Sequence, residues 1–137
     1  MCRIRISVEF VGRIWIEAEE IGNNTARIDE IPVALSLGLG DIVEFDPSNN
    51  NQVMRIIQKG SKTCGCTYDT TGNLILDRAN KAGIKVFLAR YAIQINFVCD
   101  TIFVMAVPLN MTNDRLSHIV SKCPVKFDLY VSVEGNL

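Results

Sequence analysis

Apolar and polar residues alternate from the start of the chain. Ile4, Ile6, Val8 and Phe10 interleave with Arg3, Arg5, Ser7 and Glu9. After Gly12, the residues Ile14, Ile16 and Ala18 interleave with Arg13, Trp15, Glu17 and Glu19. A period of two is the mark of a half-buried strand. The two runs predict a hairpin turning at Val11-Gly12. Gly22-Asn23-Asn24 predicts the next turn. Residues 26–31 read as a short extended piece that Pro32 ends. Residues 33–39 are apolar and read as one helical turn or a buried loop. Residues 41–45 and 52–58 read as strands around the polar loop of residues 46–51.

The second half has a different rhythm. Residues 62–68 read as a strand, and residues 69–73 offer capping groups for a helix. Ile75, Leu76, Ala79 and Ala82 would form that helix's apolar side, with Gly83 as its stop. Residues 84–95 and 101–109 then read as strands. Thr112 or Asn113 caps the clearest helix, whose stripe is Leu116, Ile119, Val120 and Cys123. Pro124 ends it, and residues 125–133 alternate as a final strand. The expected fold class is α+β: a small N-terminal antiparallel β-barrel-like unit, residues 1–59, and a C-terminal ferredoxin-like βαββαβ sandwich, residues 60–137. Gly60-Ser61 is the boundary between them, or a joint within one fused domain. One strand fits poorly, since Cys64-Gly65-Cys66 is weak in strand propensity for a central position.

Some of these residues resemble a known family. Ile28-Asp29-Glu30-Ile31-Pro32, then Leu39-Gly40-Asp41-Ile42-Val43, then Gly60-Ser61, is similar to a signature of a bacterial domain family of unknown function. That family pairs an I-D-x-I-P stretch and an L-G-D-x-V stretch with a βαββαβ second half. The resemblance implies the architecture and supplies no mechanism.

Composition narrows the function classes. Fourteen basic residues meet fifteen acidic ones, for a net charge of −1. No Lys/Arg cluster is present, so neither nucleic acid nor a membrane surface is an expected partner. No apolar run is long enough to span a bilayer, and no signal-peptide core opens the chain. Five cysteines, an odd number, then suggest free thiols and a cytoplasmic location.

The candidate chemistry is sparse. Cys64 and Cys66 would share one side of a strand, as small thiols packed under a helix, or as a redox pair, a strained disulfide or half of a metal site. Cys2, Cys99, Cys123 and His118 are the only other Cys or His residues, and they form no second close pair. His118 falls on the wet side of its helix, away from Cys123. Trp15, on the polar face of its strand, either packs under residues 33–39 or against the second half, or is a ligand-binding anchor. Asp41 is a second candidate, or it serves its own turn. Phosphate-loop, zinc-protease and nucleophile-elbow motifs are absent. No cofactor is expected. The leading reading is a non-catalytic binding or regulatory module for a protein or small ligand. The rivals are a thiol-based redox or metal protein and a homodimer built on an edge strand.

Overall fold

The computed structural model describes residues 2–10, 12–34 and 36–132. Val11 and Val133, placed in a turn and a strand by the sequence, lie outside them. Strands β1 (Arg3–Phe10) and β2 (Gly12–Gly22) form the expected hairpin, with Ile6 opposite Ile16 and Phe10 opposite Gly12. Gly12 takes a φ of 90°, which a side chain would strain. β3 (Thr25–Ile28), β4 (Ile42–Asp46) and β5 (Gln52–Gln58) continue the sheet in sequence order. The five strands close into a ring through a single parallel bridge, Ser7 to Gln52. Its interior is Ile6, Ile16, Ile28, Leu37, Val43 and Phe45. Strands β1 to β4 turn Ile6, Ile16, Ala18, Ala26, Ile28, Val43 and Phe45 inward, whereas β5 adds only Val53 and leaves Met54, Ile56 and Ile57 exposed.

The second sheet holds β6 (Lys62–Thr67), β7 (Gln94–Phe97), β8 (Ile102–Val107) and β9 (Asp128–Ser132). Its order is β7-β8-β6-β9, with every pair antiparallel. Helices α1 (Leu74–Ala89) and α2 (Asn113–Lys122) lie on one face. Ile84, Leu88, Leu116 and Ile119 from the helices share a core with Phe103 and Met105 of β8. The other face of the sheet is also covered. Val104 and Ala106 meet Ile31 and Leu39 from the segment between β3 and β4. Thr63 Oγ1 donates to the Leu37 carbonyl at 2.6 Å, and Ser61 Oγ to the Leu39 carbonyl at 2.7 Å. This segment therefore links the ring to the sheet.

Burial on both faces explains the small side chains of β6. Lys62 to Cys66 are all buried, so small residues fit where propensity alone disfavours them. Lys62 reaches out of the sheet to donate to the Met111 carbonyl at 2.6 Å.

The first helix corrects the sequence reading twice. Gly83 does not stop it, and residues 84–89 are helical rather than extended. The helix ends at Arg90, whose N–H reaches the Phe87 and Leu88 carbonyls. Ala92, with a φ of 60°, supplies the left-handed residue expected of Gly83. A glycine inside a helix costs about 1 kcal/mol, which packing of Ile84 and Leu88 outweighs. The strand that follows is only Gln94–Phe97. The rotation of the helix is also different. Asp77, Ile84 and Leu88 face inward, while Ile75, Leu76, Ala79 and Ala82 face solvent. The second helix follows its stripe: Thr112 caps it, Leu116 and Ile119 are buried, and His118 is exposed.

Candidate functional site

A cleft of about 450 Å³ opens beside the end of β6, lined by Tyr68, Asp69, Thr71, Asn80, Lys126 and Asp128. Beneath it lies a hydrogen-bonded cluster that the sequence did not reveal. Tyr68 Oη donates to Asp77 Oδ1 at 2.7 Å and accepts from Asn80 Nδ2 at 2.9 Å. The same carboxylate oxygen accepts from the Thr71 N–H and hydroxyl, each at 2.9 Å. Asn73 caps α1 and so places Asp77 in its first turn, facing inward.

The electrostatics favour order over reactivity. The Thr71 N–H and the Tyr68 hydroxyl hold the Asp77 carboxyl below its usual range. The hydrogen bond from Asn80 pulls the Tyr68 hydroxyl down, but burial, the hydrogen bond to Asp77 and the Asp77 charge together shift it up. Tyr68 therefore stays protonated and Asp77 ionised. The tyrosine donor is already spent on the carboxylate, so the pair has no proton to offer the cleft. It ties the end of β6, the following loop and α1 together. Among the described residues, no buried side-chain polar atom lacks a partner.

The residues singled out from the sequence are scattered. Cys64 and Cys66 sit side by side in the core under the helices, and no disulfide joins them. Burial, with the neighbouring Cys64, pushes the Cys66 thiol far up. No group of three or more His, Cys, Asp or Glu among the described residues could hold a metal. Asp41 is fully buried between the ring and β6. Its carboxylate accepts from the Gly38 N–H at 2.8 Å, the Gly60 N–H at 2.7 Å and Lys59 Nζ at 2.7 Å. Trp15 stands 47% exposed on the outer face of the ring.

The least expected surface is the outside of α1. Ile75 is 81% exposed and Val86 63% exposed. With Ala79 and Ala82 they form a row spaced four, three and four residues apart. At about 100° per residue this row lies roughly opposite the buried Asp77, Ile84 and Leu88. Leu74, 68% exposed, extends it at one end. The helix is thus apolar on two sides, which an ordinary surface helix is not. A signal existed in the sequence: Leu74, Ile75 and Leu76 are consecutive and cannot all face one core.

No family model matches the chain, and no curated protein matches it. No described helix is long and apolar enough to cross a membrane. Among solved structures, the chain is similar to one titled "Novel crystal structure of a hypothetical protein from Neisseria gonorrhoeae". The TM-score is 0.66 at 14% identity, over 93% of this chain and 94% of that one. The likeness is one of fold, spanning both halves of the molecule.

Proposed function

We propose that this chain is a non-catalytic module that docks a protein through the outer face of α1. The carrying observation is the solvent-facing row Ile75, Ala79, Ala82 and Val86 on a helix that already buries its other side. Clustered apolar side chains in water mark an interaction surface more often than an ordinary one. The cleft near Tyr68 supports this reading indirectly, because its buried donors are spent within the protein.

The finer architecture goes with this reading. We read the second sheet and its helices as a ferredoxin-like βαββαβ unit, a reading that the order β7-β8-β6-β9 with both helices on one face supports. The five-stranded ring is best read as a small barrel. Membership of the family with the I-D-x-I-P and L-G-D-x-V signature fits as well. In this chain the signature residues are spent on joining the halves: Ile31 packs on the sheet, and Asp41 binds the Gly60 N–H.

Photo-crosslinking tests the docking proposal. A benzophenone side chain is placed at Ile75, and in a control at the exposed His118, in cells producing the chain. A discrete adduct from position 75 and none from 118 is the expected result. No adduct from position 75 would count against docking at this face.

A further inference from the structure

Resting on that reading, we infer that the partner presents an amphipathic helix whose apolar stripe is flanked by acidic residues. The evidence is a charge asymmetry. Residues 1–59 contain nine acidic and six basic residues, and residues 60–137 contain six acidic and eight basic. The two halves thus carry −3 and +2 in a chain of net charge −1. In the first half every basic side chain is matched to a carboxylate: Arg3, Arg5, Arg13, Arg27, Arg55 and Lys59. On α1, Arg78 and Lys85 have no such partner among the described residues. At about 100° per residue both fall on the same flank of the apolar row. The only acidic residue of the helix, Asp77, points inward. The outer face is therefore apolar along its middle and positive along one edge.

Shape selects among occupants of that chemistry. Ala79 and Ala82 form a shallow waist between Ile75 and Val86, over ~17 Å of helix. Small residues at the centre let another helix approach closely. An anionic membrane would instead favour bulky side chains along the row. A second copy is disfavoured by charge. A two-fold axis pairing Ile75 with Val86 and Ala79 with Ala82 would bring Arg78 and Lys85 of both copies to the same rim, with no acid between them. An acidic flank on the partner meets the same cations favourably and restricts the orientation of docking.

Two synthetic 18-residue helical peptides test this. Both have a Leu/Ala stripe, flanked by Glu in one and by Lys in the other. Fluorescence anisotropy measures their binding to the full chain. The Glu peptide is expected to bind at least about tenfold tighter, with the difference shrinking in salt. Arg78→Glu with Lys85→Glu is expected to reverse the preference. Ile75→Asp is expected to abolish binding of the Glu peptide while the circular dichroism spectrum stays unchanged. Equal binding of both peptides, binding of neither, or no response to the charge reversal would overturn the inference. So would self-association of the chain, or binding to phosphatidylglycerol vesicles, that Ile75→Asp abolishes. If the crosslink at position 75 forms but the peptides fail, the docking face stands and the acidic partner falls.

Discussion

The Asp41 carboxylate and the Lys59 ammonium meet at 2.7 Å, with Asp41 fully buried and Lys59 partly exposed. The pair closes the seam between the ring and β6, since the same carboxylate also holds the Gly38 and Gly60 N–H groups. Removing it strands two donors and a cation. Asp41→Ala is expected to cost on the order of 3 kcal/mol. Lys59→Met should cost less, because the two N–H bonds survive. Urea denaturation measures both, and an unchanged midpoint for Asp41→Ala would refute the account.

The seam also depends on close backbone approach. A Cβ at Gly60 would lie 2.2 Å from the Gly40 carbonyl carbon and 2.7 Å from the Asp41 nitrogen. Backbone must move to admit it, so Gly60→Ala is expected to lose about 2 kcal/mol. Gly83→Ala should do the opposite. Its Cβ would meet Val125 at an ordinary 3.5 Å inside a helix, for a gain of about 0.5–1 kcal/mol. Thermal melts of the two variants should therefore move in opposite directions.

How far the sequence is readable depends on whether one face of each element is wet. β1 and β2 alternate cleanly because one face lines the ring and the other meets water. α2 is legible for the same reason, with Leu116 and Ile119 inside. α1 misleads because its outer row is as apolar as its inner one, and because Gly83 mimics a stop. Asp77 looks like a solvated charge until the fold brings Tyr68 and Thr71 to it. Those partners come from outside the helix, so helical periodicity carries no trace of them.

Truncation distinguishes the two sides of α1. Leu88 is fully buried in the core that the helices share with the sheet, so Leu88→Ala is expected to cost about 3 kcal/mol. Ile75 touches mostly water, so Ile75→Ala should stay within about 0.5 kcal/mol. Comparable losses at both positions would mean that the rotation assigned to the helix is wrong.

The thiols should separate by environment. Cys99 is exposed, and hydrogen bonds from the Thr101 N–H and hydroxyl lower its pKa. It is expected to alkylate first, and at lower pH than an ordinary thiol. Cys64 and Cys66 are buried, and burial raises the Cys66 pKa, so they should react only on unfolding. Timed iodoacetamide labelling with peptide mass spectrometry ranks them. Labelling of Cys66 in the native chain at the rate of Cys99 would contradict the packed core.

The Tyr68–Asp77 pair predicts opposite pH dependences at the two ends of the scale. Asp77 is held below its usual 3.8, so the folded state favours its ionised form. Its contribution is complete above that value and fades as the pH falls through the folded pKa. The stability gap between the native chain and Asp77→Asn should therefore be widest near neutrality and shrink in acid. Tyr68 is held above its usual 10.0, so the folded state favours its neutral form. That contribution is complete below this value and fades as the pH rises through the folded pKa. The gap to Tyr68→Phe should accordingly shrink only in strong base. Urea midpoints at pH 3, 7 and 10.5 test both; a gap for Asp77→Asn that widens in acid would reverse the sign derived from the Thr71 and Tyr68 hydrogen bonds.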